Sequence, residues 1–161
     1  MPAAAIVLII GLAQPEMIDR TLAIVGGQAI TLSDVRAALA LGLIDTPAAP
    51  DVVPAATKAL IERTLILREV ERYAPPEPPD AAIDERVRAI AARFPGEEAF
   101  RAALAAAAFS ENLVRAWARD DLRMSAYLDQ RFTDPDKRAD LIADWIADLR
   151  RRTPIVELVK P

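Results

Sequence analysis

At 161 residues, 53% hydrophobic and 27% charged, the chain is long enough for one domain that buries roughly 70% of its unfolded surface without metal or disulfide staples. It has no cysteine and no histidine, which excludes disulfides, a thiolate nucleophile and zinc–thiolate sites and removes the commonest general base near neutral pH. A net charge of −4, a pI of about 4.9 and scattered basic residues argue against a nucleic-acid partner, because phosphate binding requires a basic stripe.

The first element is Ala3 to Leu12 (AAAIVLIIGL), an uncharged apolar run too short to span a bilayer, which takes about 20 apolar residues. Gly11 and Ala13 form a small-residue cleavage pattern, so residues 1–13 read as a signal peptide cut after Ala13, leaving 14–161 as a single domain. No lysine or arginine precedes the run, so a late start or a buried strand or helix stays open beside that reading.

Arg20 to Ile30 (RTLAIVGGQAI) predicts a β-hairpin, with Leu22 and Ile24 alternating against Thr21, Ala23 and Val25 and Gly26-Gly27 as a two-residue turn. No Gly-Lys-Ser/Thr follows the glycines, so a phosphate loop is not indicated. Thr31-Leu32-Ser33-Asp34 reads as a capping box opening a helix that runs to about Leu41 and ends at Gly42. Thr46 to Pro54 holds three prolines and is a loop or linker.

Ala55 to Tyr73 predicts a long helix whose Leu60, Ile61, Leu65, Ile66, Leu67 and Val70 cover much of its circumference, as in a helix at the centre of a bundle. Ala74 to Asp80 (APPEPPD) is a rigid connector, with a proline-rich recognition motif as the alternative. Ile83, Val87, Ile90 and Phe94 then make an amphipathic stripe that Pro95-Gly96 terminates. Glu97-Glu98 open an alanine-rich helix to about Ala108, and Ser110 caps a long one to Phe132 with Val114, Trp117, Met124 and Leu128 on one face. Asp134-Pro135 is expected to start the last helix, which carries Leu141, Ile142, Trp145, Ile146 and Leu149. Arg150-Arg151-Arg152 ends it and complements its dipole, an anion site being the other reading. Ile155 to Val159 (IVELV) reads as a terminal strand.

An isolated hairpin is marginal in water, and that strand is what the chain offers to complete it. The expected fold is mainly α: a multi-helix bundle with a small antiparallel β element made by the N-terminal hairpin and the C-terminal strand.

This order of elements resembles the N-terminal domain of SurA-type periplasmic chaperones. The similarity is carried by Asp19 to Leu41, by ALIERTLILREVERY from Ala59 to Tyr73, by Ala89 to Phe132 and by LIADWIADLRRRTPIVEL near the end. It spans nearly all of the chain after the leader and lies in the ordered set of segments. What it implies is an exported, periplasmic chaperone that binds extended, partly apolar clients such as outer-membrane proteins. The sequence departs from the family in two ways. Phe132 leads almost directly to Asp134-Pro135, where family members carry parvulin-type prolyl isomerase domains, and the histidines of that fold are absent. Isomerase activity, or any catalytic residue, is therefore not expected. Asp121 also stands in the apolar row between Trp117 and Met124, and its partner is an open question.

A client-binding groove would need exposed apolar area with a polar rim. The candidate lining is Leu39, Leu43, Phe100, Leu104, Phe109, Trp117, Met124 and Tyr127, with Phe109 and Tyr127 expected to be the most exposed. Each has plain core as its alternative. Asp120-Asp121 and Glu97-Glu98 do not suggest a paired-acid site, since adjacent helical residues point about 100° apart. No cofactor or metal is implied. Two other readings stay open: an assembly protein holding one dedicated partner, and a homodimer formed by exchange of the terminal segments.

Overall fold

The computed structural model describes residues 19–46 and 50–158. The leader 1–13 with its proposed cleavage site, and Val159, lie outside the described residues.

The predicted hairpin forms as β1 (Thr21–Val25) and β2 (Gln28–Thr31). Gly26 and Gly27 sit at φ +55° and +90°, the left-handed values that a two-residue turn of matching twist demands. A register shift between Thr21 and Ala23 turns Leu22 inward, so Leu22 is buried along with Ala23 and Val25 and strict alternation fails there. β3 (Ile155–Glu157) pairs antiparallel with β1, giving the order β2-β1-β3, and Leu158 N–H extends the ladder to Leu22 C=O at 2.8 Å. The first and last strands thus meet in one sheet, as expected.

α1 (Leu32–Ala40) opens with a complete capping box: Thr31 Oγ1 accepts from Asp34 N–H, and Asp34 Oδ2 accepts from Thr31 N–H at 2.8 Å. It closes on Gly42 at φ +61°. α2 (Val53–Tyr73) starts two residues before its predicted bound and is the central helix, burying Leu60, Ile61, Leu65, Ile66 and Val70. Its buried Thr57 and Thr64 satisfy their hydroxyls on the carbonyls of Val53 and Leu60, one turn back. The proline-rich connector leads to α3 (Asp80–Ala91), then α4 (Glu97–Ala106) and α5 (Glu111–Arg131), the last capped by the Ser110 hydroxyl as predicted.

α6 (Arg138–Arg152) begins later than the sequence suggests. Asp134 Oδ1 accepts from Asp136 N–H at 3.1 Å, so Asp134-Pro135 form a side-chain-closed turn that precedes the helix instead of starting it. Arg138 then ties the first turn of α6 back to the carbonyls of Leu128 and Phe132.

Two apolar clusters share α5. One joins the sheet, α1, α2, α6 and the second half of α5; the other gathers Leu41, Ile83, Ile90, Phe100, Leu104, Val114 and Ala118. Arg115 pins α3 to the first half of α5 through Asp80, at 2.8 Å, and Asp84.

Candidate functional site: an apolar cleft beside the sheet edge

A cleft of about 350 Å³ opens between β2, α1, the middle of α2 and the first half of α5. Its floor is aliphatic, from Ile30, Ala38, Leu60 and Leu67, and its far wall is Phe109, Leu113, Ala116 and Trp117. Polar groups stand in the lining at Gln28, Asp34, Arg63, Thr64 and Asp120.

Local chain chemistry places these side chains. α4 ends in a left-handed residue, Ala108 at φ +50°, with Phe109 N–H donating to Leu104 C=O at 2.9 Å. This Schellman-type ending clips Phe109 beside the helix it has just left and sets its ring on the cleft wall. A non-glycine residue in that conformation costs roughly 1 kcal/mol, a strain located at the cleft. Leu113 and Trp117 lie one turn apart on α5, so both project to one side. Leu113, part of that wall, is 48% exposed.

Trp117 is held by its face. The Arg63 guanidinium lies 3.7 Å from the ring centroid, and Arg63 Nη2 donates to Trp117 C=O at 3.2 Å. The indole N–H is buried without an acceptor among the described residues. Arg63 itself is anchored by Asp121 Oδ1, whose other oxygen accepts from Arg86 of α3 at 3.2 Å. The aspartate that looked misplaced in an apolar row is therefore the anchor for two arginines from two other helices. Asp120 turns the other way, toward Arg119 at 2.9 Å and Arg123.

Of the eight candidate residues, the cleft brings together Phe109 and Trp117. Leu39, Leu43 and Met124 are half-buried against the core, with Leu43 bridging both clusters, and Met124 Sδ lies 3.7 Å from Arg63 Nη1. Phe100 and Leu104 are buried in the second cluster. Tyr127, expected to be exposed, is buried: the rings of Tyr73 and Trp145 pack against it, tilted, at centroid distances of 5.5 and 5.9 Å, and burial pushes its phenol above the ordinary value. Its position off the α5 stripe is the side that α6 covers.

Sequence reasoning missed Ile30, Leu67, Leu113 and Arg63. Leu113 could have been found from its i, i+4 relation to Trp117. The others belong to segments that meet α5 only in three dimensions. No group of three or more potential metal ligands occurs among the described residues, and no helix there is long and apolar enough to cross a membrane. In comparisons with known proteins, the sequence matches no family model and no curated protein.

Proposed function

We propose that this protein binds extended, partly apolar polypeptide segments in the β2–α5 cleft and acts as a chaperone-like factor for exported proteins. The observation that carries the reading is a wall of exposed Leu113 and partly buried Phe109 and Trp117 facing an aliphatic floor, with the cleft's one arginine already neutralised by Asp121. Such a surface rewards apolar side chains of varied shape, and its aromatic residues offer contact area with few rotors to immobilise. A micromolar complex corresponds to about 8 kcal/mol, strong enough to hold a client and weak enough to release it. The resemblance of the ordered segments to SurA-type chaperones supports the same reading, and the Ala3–Leu12 run supports export.

Light scattering tests it. The full chain, mixed at near-stoichiometric ratio with a denatured outer-membrane porin or an unrelated denatured soluble protein, is expected to suppress aggregation of at least one. Leu113→Asp, a change at an exposed position, should weaken suppression at least about fivefold by placing a charge against the apolar wall. No suppression of either client by folded protein, or an unaltered Leu113→Asp variant, would sink the proposal.

A further inference from the structure

The cleft is bounded on one side by a sheet edge, and the hydrogen-bond parity of that edge is fixed. Gly26 N–H donates to Pro154 C=O and Leu22 C=O accepts from Leu158 N–H, so the even-numbered positions of β1 face β3. The odd-numbered ones, Ala23 and Val25, therefore bond across to their partners Ile30 and Gln28. Ala29, between them, directs both its N–H and its C=O away from β1. The neighbouring outward donor, Thr31 N–H, is already taken by Asp34. Ala29 lines the cleft and its side chain is exposed.

Asp34 adds a sign. It is the lining carboxylate that pairs with no cation among the described residues, whereas Asp120 is matched by Arg119 and Arg63 by Asp121. Its carboxylate caps α1 at the Thr31 end of the same edge.

Resting on the binding reading above, we propose that the bound segment adds to β2 as a fourth strand. One of its residues exchanges two main-chain hydrogen bonds with Ala29, alternate side chains enter the Leu113–Trp117 wall, and a lysine or arginine lies near Asp34. Main-chain bonds make the affinity tolerant of sequence, the wall selects apolar residues at every second position, and Asp34 favours clients with a basic flank.

The probe is a synthetic peptide of about nine residues, roughly 30 Å extended, alternating leucine and threonine with a lysine at each end. Its comparators are a glutamate-ended peptide and versions methylated at single backbone nitrogens. The lysine-ended peptide should bind the full chain about three- to tenfold more tightly than the glutamate-ended one, and Asp34→Asn should erase most of that difference while leaving a capping oxygen in place. Methylation at one position, and not at its immediate neighbours, should cost roughly tenfold or more. Ala29→Pro, tolerable on an edge strand, should give a similar loss.

Peptide methylation without effect at any position overturns strand addition, and needs no protein variant to fold. If methylation is harmless while Leu113→Asp still abolishes binding, the cleft remains the binding site and the edge does not. A wild-type chain that binds neither peptide removes both proposals. Equal binding of lysine- and glutamate-ended peptides removes the role of Asp34.

Discussion

Replacing Asp121 by alanine should lower stability by about 3 kcal/mol, measured by urea unfolding of the full chain. The side chains of Arg63 and Asp121 are only 12% and 16% exposed, so the pair is largely withdrawn from water. Removing one partner of such a pair leaves a desolvated charge, which costs about 3–5 kcal/mol. The lower end applies because Arg86, with 46% exposure, can turn to solvent once its carboxylate is gone. Arg63 cannot, since it remains between the Trp117 ring and the Met124 sulfur. A double replacement, Arg63→Met with Asp121→Leu, should cost less than Asp121→Ala alone, because no charge is stranded. A loss below about 1 kcal/mol for Asp121→Ala would mean that water already solvates the pair. The same variant should alter tryptophan fluorescence, as the guanidinium that fixes Trp117 loses its anchor.

Trp145→Ala should be at least as damaging, by about 4 kcal/mol, within the range of about 3–5 kcal/mol for truncating a buried large aromatic. Trp145 and Leu149 are the two buried residues of α6, with Ile142 and Ile146 partly buried beside them, and the Trp145 ring is the largest group the helix docks. That ring meets Phe132 at 5.6 Å and Tyr127 at 5.9 Å, and Arg131 lies 5.4 Å from its centroid. Amide hydrogen exchange should show α6 and β3 losing protection before α2, because β3 reaches its place on β1 only through α6. Uniform loss of protection would show instead that the bundle and the sheet open as one unit. Either substitution removes a large share of the stability of a domain this size, about 5–15 kcal/mol in all.

What could be read from the sequence divides along the range of the interactions. The hairpin, the Thr31–Asp34 capping box, the Ser110 cap and the proline-rich break after Tyr73 are set by neighbours a few residues apart, and each appears where its residues predict. The pairing of β3 with β1 followed from the need of a hairpin for a third strand. The start of α6 was missed because Asp134 has two local options, capping a helix or closing a turn, and the tie from Arg138 to the end of α5 accompanies the second.

The cleft was legible only in part. Phe109 and Trp117 stand out as aromatic groove candidates, but so do Tyr127 and Phe100, which packing buries along with Leu104. Whether a helical aromatic faces groove or core depends on which other element lies over it. Nothing within one turn of Tyr127 records that α6 will cover it. Arg63 and Asp121 are 58 positions apart, so an aspartate that seemed a flaw in an apolar stripe carried no local sign of its partner.

The most direct test of the central claim is amide and indole chemical-shift mapping of the isotope-labelled full chain titrated with the lysine-ended alternating peptide. Shifts concentrated at Ala29, Ile30, Phe109, Leu113 and the Trp117 indole, with little change at Tyr127 or Phe100, are the result predicted for binding in the β2–α5 cleft. Shifts centred on the exposed Val156 and Leu158, or on Leu141 of α6, would place the client on another face and contradict the account.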